Sequence, residues 1–136
     1  YTAAAIASFA YGAPQAVVDG NVYRVLSRVF GVDIPFDTTK GKKCFASLAQ
    51  ELLDVKNSGA YNQAIMDLGA TVCTPRNARC PTCPMQKKCI AYHQQMVEQL
   101  PVKSKKLNVK KRYFYYILFA VNFQLGINMW ISCDLC

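Results

Sequence analysis

Apolar positions in the first part of the chain recur at helical spacing. Val22, Val25, Leu26, Val29 and Phe30 fall at i, i+3, i+4, i+7 and i+8, the signature of a helix with one buried stripe. Asp19 stands where its N-cap belongs and Gly31 closes its far end. Upstream, YTAAAIASFAYG (residues 1–12) is Ala-rich and predicts a helix that ends at Gly12. A third helix is predicted over roughly 41–55, with Phe45, Leu48, Leu52 and Leu53 on one face. A fourth is predicted over roughly 60–71, with Tyr61, Ala64, Ile65 and Leu68 inward. A cysteine-rich loop follows, then a short helix near 87–98. Beyond residue 112 the period changes: 113–121 reads as a buried strand and 125–132 as its antiparallel partner. The apolar run YFYYILFAV is too short to span a bilayer, and no internal repeat is present.

Charge divides the chain at the same place. A net charge of +8 favours a polyanionic partner, nucleic acid or an anionic membrane surface. Residues 1–98 hold ten Lys/Arg against seven Asp/Glu. Residues 99–112, QLPVKSKKLNVKKR, hold six Lys/Arg and no acid. This stretch reads as a solvated interdomain linker, with a phosphate-tracking strap as the sharper reading. The division is therefore a helical domain over 1–98, a basic linker over 99–112, and the start of a β-containing domain over 113–136. The first residue is Tyr and no secretory segment leads the chain, so it reads as a piece of a longer protein.

Four of seven cysteines lie within CTPRNARCPTCPMQKKC: Cys73, Cys80, Cys83 and Cys89, spaced C-x6-C-x2-C-x5-C. Four thiolates in one loop suit a [4Fe–4S] cluster or a zinc ion. Zinc sites usually have two short C-x2–4-C hooks, and this loop has one. Disulfides are the third option, and the reduced, intracellular look of the remaining chain argues against them. Among the other thiols, Cys44 reads as a buried small apolar residue, and Cys133 and Cys136 as incidental. His93 reads as a surface residue.

This cysteine spacing resembles the iron–sulfur loop of the helix–hairpin–helix DNA glycosylases, the endonuclease III superfamily. Three further stretches narrow the resemblance to the MutY-type adenine DNA glycosylases. YTAAAIASFAYG (1–12) is similar to the helix after the Gly-rich hairpin. VVDGNVYRVLSRVFG (17–31) is similar to the helix opened by the catalytic aspartate. YNQAIMDLGATVC (61–73) is similar to the helix leading into the cluster. The likeness covers about residues 1–112. The tail KKRYFYYILFAV resembles the start of a C-terminal Nudix-like domain, whereas GINMWISCDLC does not resemble its next strand, as a truncated or frame-shifted end would not.

The resemblance implies a mainly α fold with a [4Fe–4S] cluster on Cys73, Cys80, Cys83 and Cys89, followed by the beginning of an α+β domain. It implies excision of adenine paired with 8-oxoguanine or guanine from double-stranded DNA, by a monomeric, cytoplasmic, nucleoid-associated bacterial enzyme. Breaking an N-glycosidic bond builds positive charge on the sugar, and a nearby carboxylate stabilises it. Asp19 matches the catalytic aspartate, at a helix start that favours negative charge. Asn21 could support Asp19 or a bound water. Tyr1 takes the place of the relatives' Schiff-base lysine, and a phenol cannot form an imine. The family's general-acid Glu and its DNA-binding hairpin lie upstream of Tyr1, so this piece alone is expected to be inactive. Arg76, Arg79, Lys87 and Lys88 around the cluster, and Lys105 and Lys106 in the linker, are the candidate DNA contacts. The competing reading is a non-catalytic iron–sulfur or zinc module that binds nucleic acid or carries electrons.

Overall fold

The structure, a computed structural model, describes residues 1–104, 115–121 and 124–130. It divides into a helical unit, Tyr1–Lys106, and a second unit, Leu107–Cys136. In the helical unit, α1 (Thr2–Tyr11) ends at Gly12 with φ 62°. An extended segment leads to Asp19, which caps α2 (Gly20–Phe30) by accepting the Val22 N–H at 2.8 Å. That bond satisfies one of the amides a helix start leaves without partners. Gly31, at φ 65°, closes the helix in the left-handed region that a residue without Cβ enters most cheaply.

Thr38 caps α3 (Thr39–Glu51) through its hydroxyl and the Gly41 N–H at 3.0 Å. The helix starts and stops earlier than the apolar pattern suggests. Leu53 is buried beyond its end, and Asp54 turns the chain by accepting the Lys56 N–H at 3.0 Å. α4 (Ser58–Thr71) then leads into the cysteine loop, and α5 (Ile90–His93) leaves it.

α2 is central because it is covered on two sides. Val22 and Leu26 pack with Phe45 and Ala49 of α3, where the Tyr23 ring meets Phe36 at 5.1 Å and Phe45 edge-on at 5.2 Å. Val25 and Val29 pack with Cys89, Ala91 and Leu100. Double coverage buries the polar side chains between the stripes as well: Arg24, Ser27 and Arg28. Phe30, expected in the stripe, is 41% exposed. With Tyr61, Ala64, Ile65, Leu68 and Met85 it lines an open apolar groove of about 380 Å³. The most buried residues of α4 are therefore polar or small: Ser58, Asn62 and Gly69. Cys44 is only half-buried.

The helix expected near 87–98 is shorter. A single 3-10 turn, Gln86–Lys88, precedes α5. Gln95 at φ 57° then reverses the chain. The Met96 N–H reaches back to Ala91 O at 2.8 Å and the Gln95 N–H to Tyr92 O at 3.3 Å, the paired bonds of a Schellman end. Packing continues beyond residue 98. Leu100 is buried, Lys103 lies over the Phe36 ring, and Asp37 accepts the Ser104 N–H and hydroxyl. Residues 99–104 thus belong to the helical unit rather than to a free tether.

In the second unit, β1 (Tyr115–Val121) and β2 (Gln124–Trp130) pair antiparallel, with Tyr115 opposite Trp130 and Val121 opposite Gln124. The pair agrees with the strands read from sequence over their described parts. Cys133, Cys136, Lys105 and Lys106 lie outside the described residues.

The crossing of α2 and α4 has one tight point. A Cβ on Gly69 would lie 2.6 Å from the Asn21 Cβ, whereas one on Gly20 meets nothing within 4 Å. Gly69→Ala in the whole protein should lower stability by about 1–3 kcal/mol. Gly20→Ala should be neutral or stabilising, by up to about 1 kcal/mol. Urea midpoints compare the two, and equal effects would contradict this crossing geometry.

Candidate functional site

Two groups of expected site residues lie at opposite ends of α2. At its start, the Asp19 carboxylate is doubly held. Oδ1 accepts the Val22 N–H at 2.8 Å, and Oδ2 accepts the Asn21 side-chain Nδ2–H at 3.0 Å. Asn21 therefore hydrogen-bonds Asp19 directly. Asp19 is half-buried, and its carboxylate has lone pairs beyond those two bonds. Tyr1 sits at the exposed start of α1, with no side-chain cap bond to that helix.

The second group is the cysteine loop. Cys73, Cys80, Cys83 and Cys89 all line one small cavity, together with apolar Val25, Val29, Leu68, Val72 and Val97 and the side chain of Arg28. All four are free thiols, Cys89 buried and the others half-buried. Among the described residues, no three His, Cys, Asp or Glu side chains stand together as ligands of one metal ion. The donor set nonetheless fits a thiolate-bound group. The four cysteines line one apolar hollow, and the Arg28 Nη1–H donates to Cys73 Sγ at 3.5 Å, a cation placed to complement thiolate charge. The Cys89 thiol donates to Arg28 O at 3.4 Å. Burial pushes the Cys80 thiol up, and Cys73, Cys89 and Cys83 push it the same way against the pull of Arg28.

Sequence reading missed what joins the two groups. Arg24 and Arg28 are 8% and 2% exposed. The Arg24 Nη2–H donates to Asn21 Oδ1 and to Gly69 O, both at 2.7 Å, and its Nε–H donates to Cys73 O at 2.6 Å. Arg28 donates to Thr74 O at 2.7 Å, Leu100 O at 3.0 Å and Pro75 O at 3.4 Å. A continuous chain therefore runs from Asp19 through Asn21 and Arg24 to the first cysteine of the loop. Burial pulls the Arg24 guanidinium below its ordinary value; Cys73 opposes this, Arg28 adds to it and Asp19 opposes it. One signal was available: Asn21, Arg24 and Arg28 lie three and four residues apart, on one helix face.

Arg76, Arg79, Lys87 and Lys88 are all exposed around the loop. His93 is exposed, its Nε2 lying 3.1 Å from Lys87 O. No helix among the described residues is long and apolar enough to cross a membrane.

No family model matches the chain. Curated relatives do. The adenine DNA glycosylase of Homo sapiens is 47% identical over 100 residues, covering 74% of this chain and 18% of the relative. That of Schizosaccharomyces pombe is 44% identical over 97 residues, covering 71% and 21%. That of Buchnera aphidicola subsp. Schizaphis graminum is 35% identical over 129 residues, covering 93% and 37%. The chain thus spans between about a fifth and somewhat over a third of these relatives' lengths. Among solved structures, a thermostable thymine-DNA glycosylase is similar with a TM-score of 0.62 and 34% identity, over 69% of this chain and 43% of that one.

Proposed function

The chain belongs to the adenine DNA glycosylase family, and we propose that the whole protein performs base-excision repair, hydrolysing the N-glycosidic bond of adenine mispaired with 8-oxoguanine or guanine. Its partner is double-stranded DNA, bound by a monomer in the cytoplasm at the nucleoid, and the second unit is the start of a Nudix-like domain that reads the opposite base. The observation that carries the reading is the doubly held Asp19 carboxylate at the start of α2.

The chemistry follows from that placement. As the glycosidic bond breaks, positive charge spreads over C1′ and the ring oxygen. A carboxylate about 4 Å away contributes about 4 kcal/mol at an effective dielectric constant near 20, roughly a thousandfold in rate. Holding both oxygens in hydrogen bonds keeps the charge aimed before the transition state forms, which is the condition for electrostatic catalysis. Asp19 then also orients the water that attacks C1′. A second carboxyl that protonates the departing base is supplied by another part of the protein. Tyr1, at the position of the relatives' Schiff-base lysine, offers no amine, so the abasic strand is left unnicked.

Cys73, Cys80, Cys83 and Cys89 are the ligands of a [4Fe–4S] cluster in this reading. Once bound, the cluster ties the ends of a seventeen-residue loop together as a structural cross-link. The loop then presents Arg76, Arg79, Lys87 and Lys88 to DNA phosphates, with Lys105 and Lys106 continuing the basic track.

Asp19→Asn in the whole protein keeps the shape and a capping oxygen but removes the charge. Single-turnover excision of adenine opposite 8-oxoguanine should fall by on the order of 10³-fold, with duplex affinity near normal. Borohydride should trap no protein–DNA crosslink. A variant as fast as wild type, or a crosslink formed at the rate of excision, would contradict the mechanism.

Metal content tests the cofactor. Anaerobically purified whole protein should be brown and carry about four irons per chain, and Cys80→Ser should lose most of that iron. Stoichiometric zinc without iron would sink the cluster assignment. It would also favour the non-catalytic nucleic-acid module if adenine excision were absent too.

A further inference from the structure

Residues 13–18, the approach to Asp19, form no helix or strand. Their backbone groups must nevertheless find partners. Two amide side chains from different helices supply them. Gln50 of α3 accepts the Ala16 N–H on Oε1 at 3.0 Å and donates from Nε2 to Pro14 O at 3.0 Å. Asn62 of α4 accepts the Val17 N–H on Oδ1 at 3.1 Å and donates from Nδ2 to Gln15 O at 2.8 Å. Each amide takes one carbonyl and the N–H two residues later, the pattern by which a neighbouring strand would pair with this segment. Residues 14 and 16 go to one amide and residues 15 and 17 to the other, so the extended chain is gripped from both sides.

Asn62 is 1% exposed, and its Nδ2 also donates to Ser8 Oγ of α1 at 3.0 Å. Ser58 adds its hydroxyl to Ala13 O at 2.9 Å. Three helices are thereby fixed to the peptide that ends at Asp19. Downstream, Asp19 is tied to the unit through Asn21 and Arg24; upstream, this clamp fixes the peptide that leads into it. We infer that Asn62 and Gln50 are positioning residues for Asp19, acting through residues 14–17 rather than by touching substrate. The inference rests on the catalytic reading of Asp19. A misplacement of about 1 Å at a reacting group can cost about 10²-fold in rate, so the clamp bears on turnover as well as on folding.

The test uses the whole protein with Gln50→Ala and, separately, Asn62→Leu. Gln50 is exposed, so its variant leaves the core intact and decides the question if Asn62→Leu fails to fold. The readouts are single-turnover adenine excision per titrated active site, duplex Kd, and hydrogen exchange at the Ala16 and Val22 amides. Val22 reports on Asp19, which accepts its proton. We expect Gln50→Ala to slow excision about tenfold with Kd unchanged, and to speed exchange at both amides. Asn62→Leu should slow excision about 10²-fold. Faster exchange at Ala16 alone, with the excision rate and Val22 exchange as in wild type, would overturn the inference. A wild-type protein that excises no adenine would overturn the functional reading instead, and Val22 exchange would then decide the clamp by itself.

Discussion

Two guanidinium groups buried along α2 hold this unit together. Arg24 and Arg28 reach backbone carbonyls at Gly69, Cys73, Thr74, Pro75 and Leu100, from 45 to 72 residues downstream. A buried cation is costly unless its donors are satisfied, and a guanidinium has five of them in a rigid fork. A loop has the complementary problem, because its carbonyls lack ladder partners. Each solves the other's deficit. Among the described residues no buried side-chain nitrogen or oxygen is without a hydrogen-bond partner. Losing either arginine would leave several carbonyls unpaired, at about 1–3 kcal/mol each.

The same arrangement gives the site its geometry. α2 carries Asp19 at one end and grips the cysteine loop along its flank, so the Asp19 carboxylate and the cysteine loop share one rigid element. Asn21 is the junction. It donates to Asp19 on one side and accepts from Arg24 on the other, which fixes the orientation of its amide. Gly69 lets α4 come close enough for its carbonyl to join the network. Electrostatic catalysis requires preorganised charge. In the proposed mechanism the preorganisation is that of the interlocked hydrogen bonds on Asp19 and Asn21.

Local rules made part of this legible in the sequence. Gly12, Asp19 and Gly31 cap helices where capping chemistry places them, because a cap depends on three or four neighbouring residues. The continuous apolar run after residue 112 marked the first strand, and the segment after it the partner. Spacing alone singled out the four cysteines that share a cavity. What was not legible depends on distant partners. Arg24 and Arg28 look like solvent-facing charges until carbonyls far along the chain arrive to bury them. Asn62 and Ser58 look like surface residues of α4 because a buried face is expected to be apolar. Phe30 fits the apolar period but faces an open groove. Gln95 ends the last helix early through a left-handed turn that no glycine announces.

The Arg24 guanidinium links the cysteine loop to Asp19 through Asn21. The most direct test of this link is Arg24→Lys in the whole protein, with iron content and single-turnover adenine excision measured on the same sample. An ammonium retains the charge but cannot span Asn21, Gly69 and Cys73 as the planar fork does. The rate should fall about tenfold or more in protein that still carries its full iron. Undiminished excision by fully loaded Arg24→Lys protein would contradict the coupling.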